Sequence, residues 1–465
     1  FIAGNVLNKN IVLYTIGATS PSSAIPLKGL IPVRIVFEVD AMSTFIALTC
    51  TTIVFLVVIY STHFLRNQRR VEKYNSLLLL LTSAMLGLSF TGDLFSMFVF
   101  LELLSVSSAA LIVFYKKSGS FDAAFKYMIV SSVSALMFLF GVSILYAGYG
   151  SLNIALIAKN IQFSLPDKIA LALLLVSFMM KCGAVPLHFW VADAYGEAPS
   201  SVSAVLVVAS QVCLYALFRL SFTLFSSFDL ITTIAWFIIV AGILSMFIGV
   251  TVALSQKDIK RLMAYHAISQ TGYMLLGVGV GLAVINDNSM LNTFGIIAME
   301  GGIFHIINHA FYKGLLFLTA GAIVHVTGTS RLDEMKGLAH FMPLTTIFFL
   351  VGALSITGLP PFNGFVSKLM IYESVFIFNP ILAVIAMIVS MLTLASFIKV
   401  FYAAFMGPRP KDKVREVPKL MLLPMLILVI LILVFGLIPD IIVDLLVKPA
   451  TFALINKMKY ISMIV

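Results

Sequence analysis

The chain has 465 residues, 61% of them hydrophobic and 11% charged, with a net charge of +10 and a mean hydropathy of +1.08. This composition excludes a soluble globular protein, and apolar runs of about 20 residues or more exclude the roughly ten-residue alternating segments of a membrane β-barrel. What remains is an all-α polytopic membrane protein.

Residue 1 is a phenylalanine inside an apolar stretch, which reads as a truncated start, so nothing is inferred about a signal peptide. A partial helix is expected over about 1–17. A Pro/Ser/Gly-rich stretch (20–38) follows, and its "VRIVFEVD" reads as an external hairpin strand. Helices are then expected at roughly 41–61, 75–92, 94–115, 125–149, 168–195, 200–225, 231–255, 262–285, 293–327, 341–375, 380–406 and 419–439. The tail after Pro439 mixes Asp, Lys and apolar residues and is expected to lie at the interface. Four regions follow: N-terminal helices and hairpin (1–74), a five-helix repeat (75–225), a second, inverted five-helix repeat (231–406), and a C-terminal helix with its tail (407–465).

The positive charge does not point to nucleic acid, because basic residues collect in short connections. Arg66, Arg69, Arg70 and Lys73, then Lys116 and Lys117, Lys257, Lys260 and Arg261, Arg331 and Lys336, and the run from Arg409 to Lys419 all fall on one side of the helix count. Asp93, Asp229 and Asp287 fall on the other, with Lys159 and Lys168 as exceptions. The basic side is therefore cytoplasmic, and the expected location is the inner or plasma membrane of a prokaryote.

Two segments are too long and too interrupted for simple spans: "MMKCGAVPLHFWVADAYGEAP" (179–199) and "TGLPPFNGFVSKLMIYES" (357–374). Each occupies the fourth place in its five-helix run and joins a lysine, Lys181 or Lys368, to helix breakers, which are Pro186 in the first and Pro360, Pro361 and Gly364 in the second. Proline frees a backbone carbonyl, which in lipid needs a polar or hydrated interior. Paired broken helices of this kind point to an inverted-repeat transporter.

Ionisable residues inside spans cost about 2.5–3.5 kcal/mol and mark function by default. Glu102 lies well inside its helix, and His305, His309 and Lys313 recur every four residues on one helix face. Glu, Lys, His and Lys over successive helices make a proton relay, with His188, Gln211, Lys257, His266 and Glu373 as further members. Blander readings stand beside this one. Glu102 and Lys181 can simply neutralise each other, and His-x₃-His is also a metal spacing, although no carboxylate stands at a ligand spacing. "GVGVG" (277–281) lies in an apolar helix, so close helix packing accounts for it better than a nucleotide loop. Scattered Cys50, Cys182 and Cys213 give no iron–sulfur or zinc site, and no Walker A sequence occurs.

"TGDLFSMFVFLELL", "KCGAVPLHFWVADAYGEAPSSVSAVL", "KDIKRLMAYHAISQTGYMLLGVG", "HIINHAFYKGLLFLTAGAIV" and "GLPPFNGFVSK", in this order, resemble the antiporter-like subunit family. That family includes the D-type subunit of Mrp-type sodium/proton antiporters, the antiporter-like subunits of complex I and relatives in membrane-bound hydrogenases. The resemblance runs from about 40 to 440. It implies about 14 helices in the complete chain, with about one and a half missing at the start. By the same resemblance Glu102, Lys181, His305, His309, Lys313 and Lys368 line a hydrated axis in the membrane plane.

One position departs from the pattern. Where the family usually has lysine or histidine, "SQVCLYALFR" places Gln211, which cannot carry a proton charge near neutral pH. The expected function is a proton-translocating subunit, either of an Mrp-type antiporter or of a respiratory complex of the hydrogenase, sulfur-reductase or complex I type. Gln211 supports the alternative, a non-conducting coupling subunit. Expected partners are other membrane subunits, lipid, H⁺ and, for an antiporter, Na⁺. No cofactor is expected in this chain; any iron–sulfur or nickel–iron centres would belong to partner subunits.

Overall fold

A computed structural model of the chain describes residues 11–15, 35–66, 70–226, 228, 230–408 and 415–462. Two strands, β1 (Val12–Thr15) and β2 (Val36–Val39), pair antiparallel with Val12 opposite Val39 and Leu13 opposite Glu38. The hairpin strand read in "VRIVFEVD" is thus present. The helix expected over 1–17 is corrected at 12–15, where "VLYT" is a β-branched and aromatic run with a partner strand to pair with. Residues 1–10, 16 and 17 of that expected helix, residues 20–34 of the loop, Arg69, Asp229, Arg409, Lys411 and Lys413 lie outside the described residues.

Asp40 ends β2 and caps α1 (Ala41–Phe64). Ser43 N–H donates to its carboxylate at 2.9 Å, and the Asp40 N–H donates to Ser43 Oγ at 2.9 Å. Next come α2 (Val71–Phe90), α3 (Leu94–Ile112, capped by Asp93) and α4 (Ser118–Tyr149). A short α5 (Ile154–Asn160), which the apolar pattern did not reveal, precedes the first broken helix. That helix is α6 (Leu165–Cys182) and α7 (Phe189–Glu197), interrupted at Gly183–His188 with a cis bond before Pro186. α8 (Ser200–Leu220) continues as a π turn through Phe225.

The following region begins at Ile231. It contains α9 (Ile231–Ser255), α10 (Ile259–Ala283) and α11 (Ile296–Thr327). A second broken helix follows, α12 (Pro343–Thr357) and α13 (Asn363–Phe378), with a cis bond between Pro360 and Pro361, and then α14 (Pro380–Phe405). After α15 (Lys419–Leu437), the tail is helical and includes α16 (Lys448–Ile455) and α17 (Lys457–Ser462). Far from lying loose, α16 packs on α1 and α11.

Among the described residues eight helices are long and apolar enough to cross a membrane by length and composition. Neither half of either broken helix is among them: α7, α12 and α13 are shorter than 18 residues, and α6, with 18, carries Asp167, Lys168 and Lys181. The span Ser200–Phe225 is 94% buried, against 33% for Pro380–Phe405, so α8 is central and α14 peripheral. α11 touches α8, α10, α12, α13 and α15.

Glycines set the spacing in the second half. A Cβ on Gly272 would meet Gly242 O at 2.4 Å, and one on Gly277 would meet Ala298 O at 2.6 Å. The "GVGVG" run is thus a packing seam, with Gly277 and Gly281 against α11 and Gly279 against Ile239 of α9. The tightest approach lies at the second break, where a Cβ on Gly364 would stand 1.9 Å from Ser355 O. That atom is backbone and cannot rotate away. Gly364→Ala should therefore pry α13 from α12, lowering the thermal midpoint of the purified protein by the equivalent of about 1–3 kcal/mol; an unchanged midpoint would contradict this packing.

Candidate functional site

The breaks explain the lysines beside them. In an intact helix Ile356 O and Thr357 O would accept from the N–H groups of residues 360 and 361, but both of those are proline. Lys368 Nζ donates to Ile356 O at 2.7 Å, and Ser390 Oγ of α14 donates to Thr357 O at 2.7 Å. Lys368 also donates to Ser390 Oγ at 3.1 Å and stands 4.7 Å over the Tyr273 ring. An ammonium thus occupies a carbonyl that the break has freed, deep inside the protein.

From there the polar groups run inward along α11. Ser367, beside Lys368 in sequence, bonds His305 Nδ1 at 2.9 Å. His305 Nε2 lies 3.2 Å from Gln270 Oε1 and 3.1 Å from the Tyr312 hydroxyl. One turn on, His309 meets the Tyr312 ring edge-on at 5.5 Å, and its Nδ1 lies 2.6 Å from Gln211 Nε2. Gln211 also donates to Ile306 O at 3.0 Å. An amide N–H aimed at Nδ1 makes that nitrogen the acceptor and puts the ring proton on Nε2. Lys313, a further turn on, donates to Met263 O at 2.5 Å. All three members of the α11 row are buried.

On the other side of Gln211, Lys181 closes α6 with 4% exposure. Its Nζ donates to Ser105 Oγ at 2.5 Å, on the α3 face that carries Glu102 one turn earlier. Among the described residues no direct ion pair joins Lys181 to Glu102, which is half-buried in the middle of α3, although its charge acts on Lys181. A small cavity of about 10 Å³ lies between Lys181, Tyr195, Ser210 and Cys213. That suits a single water.

Not every expected residue joins this row. Glu373 is exposed: five residues on from Lys368 on one helix, it is turned about 140° away. Lys257 is exposed in the turn before α10, where its carbonyl accepts from Leu332 N–H. His188 is half-buried on the first break, and no hydrogen bond links it to Lys181 or Gln211 among the described residues. His266 is buried against α14, bonding Ser396 at 2.8 Å, within electrostatic reach of Lys313, Lys368 and Lys399.

Sequence reasoning missed the uncharged links Gln270, Tyr312, Ser367 and Ser390, and also an amide pair. Asn308 donates to Asn363 O at 3.0 Å, while Asn363 donates back to Asn308 Oδ1 at 3.0 Å, which ties α11 to the second break. It missed Glu300 too, a buried carboxylate on α11. Polar residues five or fewer positions from a marked lysine or histidine were the available signal for all of these but Ser390, which no marked residue stands near in sequence. Lys260, read as a loop cation, is buried and donates to Gly196 O at 2.7 Å and to Ala198 O, capping α7. Among the described residues no group of His, Cys, Asp and Glu suits a metal ion.

Residues 91–393 match the family described as NADH:quinone oxidoreductase/Mrp antiporter, TM. The D-type subunit of the Na⁺/H⁺ antiporter of Alkalihalophilus pseudofirmus is 33% identical over 414 residues, covering 87% of this chain and 80% of the relative. A chain of the Mrp complex from Dietzia sp. DQ12-45-1b superposes with a TM-score of 0.89 at 26% identity, covering 99% of this chain and 90% of its own. One from the membrane-bound sulfane sulfur reductase, an archaeal respiratory membrane complex, gives 0.85 at 25% identity, with 95% and 88% covered. This chain is a multi-pass membrane protein that belongs to the transmembrane family shared by NADH:quinone oxidoreductases and Mrp antiporters.

Proposed function

We propose that the chain is a proton-translocating subunit of a larger membrane complex, with Lys181, Gln211, His309, His305 and Lys368 as successive stations and Glu102 and Lys313 flanking them. The observation that carries this reading is the largely buried run of titratable, hydroxyl and amide groups from Ser105 to Ser390, which crosses α3, α6, α8, α11, α13 and α14. Residues 75–225 and 231–406 are its two halves, taken as inverted repeats. No redox or nucleotide motif in the sequence would drive it, so the driving reaction belongs to partners. The relatives offer two kinds, an Mrp Na⁺/H⁺ antiporter and a respiratory complex.

Isolating the protein from its native membrane in mild detergent and identifying its partners by mass spectrometry separates these. Redox subunits would indicate a respiratory assembly, with iron–sulfur or nickel–iron centres outside this chain. Small hydrophobic Mrp-like subunits alone would indicate a gradient-driven antiporter. Recovery as a lone active monomer would sink both.

Gln211 favours one second reading, a coupling subunit that does not conduct, because its amide is held by Ile306 O and by His309. Restoring a titratable group tests it. In the conducting reading Gln211→His keeps or raises proton flux in reconstituted vesicles. A flux absent in the parent that appears only in this variant would establish the coupling role.

A further inference from the structure

The α8 residues Gln211, Tyr215 and Arg219 stand four apart, so they form one stripe about 6 Å per step along the helix. Gln211 touches the central row, and the stripe then runs toward the face opposite the basic loops. There Tyr215 donates to Ser89 O at 3.0 Å, and Arg219 Nε donates to the Tyr215 hydroxyl at 3.3 Å. The Arg219 guanidinium is ion-paired with Asp40, and its centre lies 5.5 Å from the Tyr215 ring and 4.9 Å from the Tyr460 ring. Beside this group sits Glu38 on β2, 2% exposed, with neither carboxylate oxygen in hydrogen-bond geometry to any partner among the described residues. A Cβ added at Gly92 would find Glu38 Oε2 at 3.1 Å and the Tyr460 hydroxyl at 3.5 Å, which places both around that glycine. Asp40 and Tyr460 in turn form the wall of an open cavity of about 540 Å³, shared with Asp444, Lys448 and Asn456.

Asp40 and Arg219 neutralise each other. An ionised Glu38 would add one negative charge with the Tyr460 hydroxyl beside it but no cation of its own, whereas the acid form is neutral. Burial pushes the Glu38 carboxyl well above the usual range; the Tyr460 hydroxyl and then the Arg219 charge oppose this, and Asp40 adds to it. Those groups, with Tyr215, are the titratable and charged ones that face it from β2, α8 and α17.

We propose that Glu38 is the proton-exchange group at the outer mouth of this protein, loading and releasing a proton through the cavity walled by Asp40 and Tyr460. The step is a proton transfer alone: the carboxylic acid gives its proton to water in the cavity, and the carboxylate takes one back. This rests on the proton-translocating reading above. Arg219 is already ion-paired with Asp40, which leaves Glu38 as the carboxyl without a counter-ion of its own.

The test is proton flux by the reconstituted complete complex, with outer pH varied and inner pH held. Glu38→Gln, which keeps shape and removes titration, is expected to cut flux about tenfold and flatten its dependence on outer pH, while Glu38→Asp retains a titrating profile. Tyr460→Phe keeps the ring on Arg219 but removes a hydroxyl that favours the ionised acid, so the midpoint should move up by about one pH unit. A Glu38→Gln complex that assembles and keeps the parental profile overturns the proposal. If that variant fails to assemble, unmoved midpoints in both Glu38→Asp and Tyr460→Phe overturn it instead. Lys368→Gln in the same vesicles separates the two levels: its loss of flux beside an indifferent Glu38→Gln leaves translocation standing and removes only this mouth, and full flux in Lys368→Gln removes translocation itself.

Discussion

Replacing Lys368 with glutamine is expected to reduce proton flux through the assembled complex by roughly two orders of magnitude, the scale of losing a positioned proton donor. The amide can still donate to Ile356 O, so the break stays capped and the fold survives. What disappears is a group that can exist with and without its proton. Lys368→Arg sharpens the point, because a guanidinium keeps the charge and the donors but does not release a proton in a protein. Both variants should therefore assemble and both should fail, whereas a role limited to positive charge would let arginine work. Flux of parental size in either assembled variant would remove Lys368 from the path.

The largest stability effect is expected at the outer end of α8. Arg219 and Asp40 are both almost wholly enclosed, so Arg219→Met leaves a carboxylate without its counter-ion beneath the β-hairpin. Removing one partner of a buried pair costs about 3–5 kcal/mol. Loss of the guanidinium also strips two tyrosine rings of their cation. The Arg219→Met protein should melt markedly earlier in detergent, and Asp40→Asn combined with it should recover part of the loss. A double variant no better than Arg219→Met alone would show that the charge on Asp40 is not the source of the cost.

How much of this was legible in the sequence depends on the kind of signal. The spans from 41 onward stood out because lipid demands long apolar runs, and the breaks stood out because proline and glycine have no other business there. The strand at Val12–Thr15 did not, since four apolar residues read alike as helix or strand until a partner 24 residues later fixes the matter. Lys181, Lys368 and the α11 row were marked by charge alone. Gln211 was marked only by a missing charge, and its bond to His309 depends on how α8 meets α11. Glu38, Asp40 and Arg219 were invisible as a group because they lie 179 positions apart at the ends of the ion pair and come together only in the fold. Glu373 misled for the opposite reason: nearness to Lys368 in sequence says nothing about helix face.

The glycine seams joining α9, α10 and α11 have a kinetic consequence. Where backbones touch with no side chain between them, the interface contains no compliant layer. The spacing from Lys313 to Met263 and from His305 to Gln270 is then set once, at folding. Proton passage along that stretch is left to side-chain rotations and water, which run far faster than the microsecond-to-millisecond motions of whole helices. Any slow, rate-setting event must therefore sit outside these seams.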